Sequence, residues 1–426
     1  MIIQNFSQLA STALRKKALL IAEAGLEAIA TTPRVRAAVR YNKQRDELVV
    51  EGHIYKLKSV RRLVVVGFGK AAYEAVTTLY SILGDRISEG LVVDLKGDSV
   101  GTLTTTVGSH PYPSATNVTA TKHILEVVTG MTAEDMVLCV VSGGGSSLLC
   151  YPYKQTCELQ SSIVQALMHS GATIQELNTV RKHMSLVKGG QLAAAAYPAT
   201  VVNLVFSDVP GDDPALVASG PTLYDPSTIA EAEAVLQKYA ILDKCGLSKC
   251  DLHETPKEEK YFASVHTHVL VSGKLALRAM AEKAANLGFV TKISSAAYAG
   301  IAKDLAVEFA GMPKKRECVL AAGESTVVVK HAGKGGRNLE MALAALPILG
   351  QDQVFLALDT DGYDNTPFAG AIVDAHTRDA AQRVGMSPVV ALEQNGSYQF
   401  FEAVGDYIAT GLTGANVADF VISIRD

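Results

Sequence analysis

The chain has 426 residues, a formal net charge of −4, and 48% hydrophobic against 19% charged residues. That balance excludes a disordered chain, and a mildly acidic total with no dominant basic face excludes the electrostatic footprint of a nucleic-acid binder. The length exceeds one ordinary core and predicts two domains.

The N-terminal stretch MIIQNFSQLASTALRKKALLIAEAGLEAIA is amphipathic at helical spacing and lacks a signal-peptide layout. No segment offers the ~20 apolar residues of a membrane helix. The six cysteines show neither a C-x-x-C pair nor zinc spacing, as expected of a cytoplasmic protein. Within a basic stretch from Arg34 to Arg62, ELVVEGHIYKL predicts a hairpin with a solvated charged face.

The apolar run RRLVVVG enters the turn Gly67-Phe68-Gly69-Lys70-Ala71-Ala72, and a helix follows. The turn fits G-x-G-x-x-A, the dinucleotide fingerprint, yet Lys70 stands where a dinucleotide needs only bare backbone. The next run, GLVVDL, ends on Asp94. MVLCVVSG leads into Ser142, Gly143, Gly144, Gly145, Ser146 and Ser147. Consecutive glycines let backbone N–H groups close on an anion, and a following helix would add its dipole, so this loop is expected to cradle nucleotide phosphates. A flexible loop with a serine cap is the plain alternative. The Walker A spacing occurs nowhere in the chain.

TVVNLVFSD runs into SDVPGDD, which places Asp208, Asp212 and Asp213 within six positions. Magnesium commonly takes one or two carboxylates plus substrate phosphates. Turn chemistry, with Asp213 as a helix cap, is the alternative. The polar stretch KCGLSKCDLHETPKEEKY, residues 244 to 261, reads as a linker and predicts domains over 1–250 and 251–426. Beyond it, GKGGRNLEMALAAL delivers Arg337 and Asn338 to the first turn of a helix, where a cation opposes the dipole and calls for an anionic partner. DTDGYDN, residues 359 to 365, opens like an EF-hand loop but lacks its glycine at position six and glutamate at position twelve. Asp359 and Asp361 are expected to face substrate hydroxyls instead. A helix over 397–407, a glycine turn and a short strand close the chain. Continuous apolar runs alternating with helices predict an α/β doubly wound parallel sheet, with ligands beyond the carboxyl ends of its strands.

The segments GFGKAA, GSHPYPSATN, VVSGGGSSLL, LNTVRKHMSLVKGGQLA, SDVPGDDPALVASGPT, GGRNLEMAL, DTDGYDNTPFAGAIVD and TGLTGANVADF follow one another in this order. Together, from about residue 10 to the C-terminus, they resemble the glycerate 2-kinase family with a C-terminal MOFRL domain. The resemblance implies ATP- and Mg2+-dependent phosphorylation of D-glycerate to 2-phosphoglycerate. It implies a Rossmann-like N-terminal domain, a smaller C-terminal α/β domain with the MOFRL region at about 315–426, and an active site in the inter-domain cleft. The family's essential lysine and arginine match Lys70 and Arg337. The chain departs from the family at Leu412 and Ala415, where TGPTGTNV is usual, and at Asn365, where the family has glycine.

Some relatives of this family carry the label hydroxypyruvate reductase. An NAD(P)H-dependent reductase would use Gly67, Gly69 and Ala72 for the pyrophosphate and Asp94 for the ribose. It would leave the 142–147 loop, the three aspartates and Arg337 without tasks, whereas phosphoryl transfer employs all of them. The expected site therefore has Lys70 and Arg337 as catalytic cations, Lys70 nearer the moving phosphoryl group. Ser142 to Ser147 hold the nucleotide, and Gly69, Lys70, Arg337 and Asp361 hold the substrate. Asp208 and Asp212 bind the metal. The expected partners are ATP and D-glycerate, with no nucleic acid or membrane, and a homo-oligomer is left open.

Overall fold

Residues 1–209, 211–415 and 417–426 are described by the computed structural model, so Pro210 of SDVPGDD and Asn416 of TGLTGANV lie outside the described residues. The chain divides into two units. The first comprises residues 34–209 and 213–270; the second comprises 1–33, 211–212 and 271–426.

The first unit opens with an antiparallel meander of β1 (Val39–Asn42), β2 (Glu47–Val50) and β3 (His53–Lys56), which includes the expected hairpin. Its main sheet contains β4 (Arg62–Phe68), β5 (Glu89–Asp94), β6 (Leu103–Val107), β7 (Asp135–Ser142), β8 (Thr200–Phe206) and β9 (Val265–Val271), in the order β6-β5-β4-β7-β8-β9. The pairs β4–β5, β5–β6, β4–β7 and β7–β8 are parallel. Counted from β4, this is the 3-2-1-4-5-6 order of a doubly wound sheet, whose direction of travel reverses between β4 and β7. Val64, Val66 and Phe68 pack on one face with Ile124 and Val128 of the helix Ala115–Val128 and with Leu192 and Ala196 of the helix Gln191–Ala196. On the alternate face, Gly67 lies against Val76 of the helix Ala72–Leu83. Cover on both faces explains the unbroken apolar runs.

The second unit holds β10 (Val290–Ile301), β11 (Glu317–Thr326), β12 (Gln353–Leu358), β13 (Gly370–Val373), β14 (Tyr407–Ile408) and β15 (Asp419–Arg425), ordered β10-β11-β15-β12-β13-β14. Only β10–β11 among its pairs is parallel; β11–β15, β15–β12, β12–β13 and β13–β14 are antiparallel. The runs ECVLAAGE and QVFLAL thus belong to a mixed sheet rather than a parallel one. A continuous apolar run reports two covered faces, not strand direction. Here the cover comes from the helices Ala302–Gly311 and Arg337–Ala345, and from Ala13–Ile29 and Gly273–Asn286.

The unit boundaries differ from the expected 1–250 and 251–426 at both ends. The N-terminal helix Ala13–Ile29 belongs to the second unit because Arg15, 3% exposed, reaches Asp374 at 2.7 Å and Asp406 at 2.6 Å. Nor is the polar stretch 244–261 a linker. The His253 N–H donates to the His183 carbonyl at 2.7 Å, Glu254 pairs with the His183 ring at 3.0 Å, and β9 then completes the first sheet. All six cysteines are free, and among the described residues no helix is long and apolar enough to cross a membrane.

Candidate active site

β4 and β7 are neighbours at the point where the sheet order reverses, so the loops leaving their carboxyl ends meet. Gly69 (φ +117°) makes this approach possible, since a Cβ there would overlap the hydroxyl and carbonyl of Ser142. The turn amides are all engaged. Gly69 N–H donates to Val93 O (3.1 Å), Lys70 N–H to Gly143 O (2.8 Å), Ala71 N–H to Ser142 Oγ (3.2 Å) and Ala72 N–H to Gly69 O (3.1 Å). Tyr73 N–H donates to Asp94 Oδ2 at 2.8 Å, and Asp94 Oδ1 accepts from Leu95 N–H at 2.5 Å. No amide from Gly69 to Tyr73 is left for a pyrophosphate, and the acid suited to a ribose is a buried partner of the helix start. The turn is a strand-to-helix junction that presents Lys70. The Lys70 ammonium has no hydrogen-bond or ion-pair partner among the described residues, and its stem lies against Gly144. Near it stands His110, whose pKa is lowered by burial first and by the Lys70 charge second.

After β7 the expected phosphate loop begins. The helix that follows is the single turn Gly145–Leu148, too short to carry much of the dipole the sequence suggested. The backbone contributes more directly: the N–H groups of Gly144, Gly145 and Ser146 donate to no carbonyl among the described residues. The three serines are tied to the framework. Ser142 Oγ accepts from Ala71 N–H, Ser146 Oγ meets Ser219 Oγ at 3.3 Å, and Ser147 Oγ donates to Pro111 O at 2.6 Å. Gly143 leaves room for the Asp208 carboxylate, which occupies the space a Cβ would need. Asp212 belongs to the second unit. There its Oδ1 accepts from Gly273 N–H at 3.3 Å and its Oδ2 lies 3.7 Å from Lys274 Nζ, at the start of the helix Gly273–Asn286. Of the two aspartates expected at a metal, Asp208 stands beside the loop and Asp212 accepts from a helix start. No group of three metal-ligating side chains is gathered among the described residues.

The loop opens on a cavity of about 490 Å3, whose wall includes His110, Gly144, Ser146, Ser147, Arg181 and Lys188. Sequence reasoning missed the last two. Arg181 stands in the run Arg181-Lys182-His183, which reads as the basic last turn of the helix Ile174–His183. Behind the loop, Ala218, Ser219 and Gly220 adopt left-handed φ values of 52°, 62° and 56° in succession. Ser219 Oγ donates to Asn178 Oδ1 at 2.7 Å, and the carbonyls of Ser219 and Gly220 accept from Gly189 and Gly190 N–H at 3.0 and 2.9 Å. One strained turn thereby braces the loop, the helix of Arg181 and the backbone beside Lys188. Such strain concentrates at ligand sites.

In the second unit, Arg337 opens its helix and finds internal anions. Asp419 grips the guanidinium twice, Nε–Oδ2 at 2.6 Å and Nη2–Oδ1 at 2.9 Å. Asp359 lies 3.4 Å from Nη2, and Glu324 bonds Nη1. Asp364 accepts from the N–H groups of Asn338 (3.0 Å) and Leu339 (2.8 Å). The fork expected to be open to substrate is therefore largely held by Asp419. Burial pushes the Asp359 and Asp419 carboxyls up against the pull of Arg337, and pushes Asp364 up to about 6. Tyr298 Oη, Ser325 Oγ and Asn338 Oδ1 are buried with no hydrogen-bond partner among the described residues. Asp361 is partly committed to its own turn: its Oδ1 accepts from Tyr363 N–H at 2.8 Å. Asn365 takes φ 54°, a left-handed conformation that asparagine tolerates.

Two family models match the chain: a domain of unknown function (DUF4147) over residues 17–249, and the MOFRL family over residues 317–419. The chain is 38% identical to a putative hydroxypyruvate reductase of Agrobacterium vitis, covering 84% of this chain and 86% of that protein. It is 37% identical to a D-glycerate 2-kinase of Thermotoga maritima, covering 85% and 90%. The crystal structure of a glycerate kinase from Thermotoga maritima superposes with a TM-score of 0.83 at 32% identity, covering 96% of this chain and 99% of that one.

Proposed function

This chain belongs to the glycerate 2-kinase family that ends in a MOFRL region, and from that premise we propose phosphoryl transfer from Mg-ATP to the C2 hydroxyl of D-glycerate. The observation that carries the proposal is the junction after β4, where every turn amide is engaged while, among the described residues, the Lys70 ammonium is unpartnered beside a loop with open amides. A dinucleotide needs the reverse, bare backbone at the first turn. A moving phosphoryl group needs a fixed cation and N–H donors close together. A reductase, the activity named for the Agrobacterium relative, would find the first-turn amides and Asp94 already committed.

Lys70 takes an oxygen of the transferred phosphoryl group, and the amides of Gly144, Gly145 and Ser146 take the adjoining phosphates. The glycerate carboxylate exchanges with Glu324 at the outer edge of Arg337. Glu324 is 54% exposed and readily displaced, whereas Asp419, 1% exposed, keeps the guanidinium in place. A coupled assay tests the function: ADP release should depend on D-glycerate, and hydroxypyruvate should not drive NADH oxidation. NADH oxidation without glycerate-dependent ADP release would overturn the kinase.

Asp208 fits magnesium held by one protein carboxylate and the substrate phosphates. Gly143 gives that carboxylate its place, while Asp212 is committed to Gly273. Bound there, the ion would neutralise phosphate charge. Asp208→Asn keeps the shape and removes the charge. It should raise the magnesium concentration for half-maximal activity at least about tenfold, since even changes outside the ligand shell cost that much. An unchanged magnesium dependence would make Asp208 structural.

A further inference from the structure

Buried cations are ordinarily paired with carboxylates, and the first unit follows that rule at Lys182, which meets Asp225 at 3.2 Å. Its neighbour Arg181 is half-buried and has no such pair. The Arg181 guanidinium makes no hydrogen bond or ion pair among the described residues. Lys188 is 2% exposed, and its ammonium donates to one neutral group, the Leu149 carbonyl, at 2.6 Å. Both line the 490 Å3 cavity beside the triple-glycine loop, and among the described residues no aspartate or glutamate lines it with them. Burial lowers the pKa of Arg181 and pushes Lys188 down to about 8, with Arg181 lowering it further. A buried and a half-buried cation sharing one cavity with no carboxylate among its described lining residues are unfavourable in the empty protein, so the cavity is built for an anion that supplies the missing charge.

We propose that Arg181 and Lys188 bind the phosphoanhydride chain of the nucleotide, leaving Lys70 to the transferred group. The cavity's volume falls in the range of small-ligand sites, and Val164 and Met168 give it an apolar wall suited to a base. The identity of the anion rests on the nucleotide role assigned above to the 142–147 loop; the presence of an anion site does not.

Calorimetric titration of the full chain with inorganic tripolyphosphate, ATP and D-glycerate tests this. Arg181→Gln and Lys188→Met should each weaken tripolyphosphate and ATP at least about tenfold, the factor one hydrogen bond to a charged group carries. D-glycerate affinity should stay within about twofold, because its carboxylate is assigned to Arg337. Arg181 has no hydrogen-bond or ion-pair partner among the described residues and repels Lys188, so Arg181→Gln should keep or raise the parent's unfolding midpoint, which separates lost binding from lost folding. Competition between ATP and tripolyphosphate on the unaltered protein adds a readout that needs no variant. Unchanged ATP and tripolyphosphate affinity in folded Arg181→Gln, loss of D-glycerate instead, or absence of competition would each overturn the assignment while leaving glycerate-dependent ADP release intact. If tripolyphosphate binds through Arg181 but no ADP is released, the anion site stands and the kinase reaction falls.

Discussion

Arg337→Met should lower the unfolding free energy by about 3 kcal/mol at pH 8 and abolish glycerate phosphorylation. The substitution keeps an apolar stem but leaves Asp419, Asp359 and Glu324 without their shared cation. Removing one partner of a buried pair costs about 3–5 kcal/mol, and the lower end applies because the Arg337 side chain is 28% exposed. The loss should depend on pH. Burial holds the folded Asp364 and Asp419 carboxyls above the ordinary range, so the folded state keeps protons that the unfolded state releases. Stability from this cluster therefore falls as pH rises from about 4 through the folded values. Without Arg337 those values move higher still, and the fall is steeper. The deficit should be smallest near pH 5, where Asp364 and Asp419 are protonated, and largest near pH 8. Urea titrations at both pH values measure it; a deficit that is equal at both, or absent, would show that the guanidinium does not neutralise the cluster. Arg337→Lys keeps the charge but loses the two-point grip on Asp419, and should fall between the parent and Met with a raised KM for glycerate.

Lys70→Ala should lower kcat by about 10³, the smaller end of what a fixed cation contributes to phosphoryl transfer. The unfolding midpoint should stay near that of the parent, because the ammonium has no hydrogen-bond or ion-pair partner among the described residues and the turn is held by its backbone. The two variants thus predict opposite patterns: Arg337→Met loses stability with activity, while Lys70→Ala loses activity alone. Steady-state kinetics with circular dichroism on the same samples distinguishes them. A near-normal kcat for Lys70→Ala would leave the turn as a junction with no part in the reaction.

Local chemistry was legible in the residues. The unbroken run RRLVVVG and its successors announced strands covered on both faces, and the glycine spacing at residues 67–72 and 143–145 announced loops that approach other backbone closely. The family's motifs then located Lys70 and Arg337. What the residues could not show is which groups those loops and charges meet. The glycine turn fits a dinucleotide by spacing, yet its Ala71 amide is taken by Ser142, 71 positions on. Arg337 reads as a fork awaiting substrate, yet it is gripped by Asp419, 82 positions on. Arg15 ties the first helix to the second unit through Asp374, 359 positions away, and no local pattern marks that pairing. Arg181 and Lys182 are adjacent and chemically alike, yet one has a carboxylate and the other lines a cavity. Periodicity and backbone conformation are set within a few residues, so sequence reports them. Hydrogen-bond and charge pairing depend on distance in space, and only the folded chain decides which donors, acceptors and cations remain for a ligand.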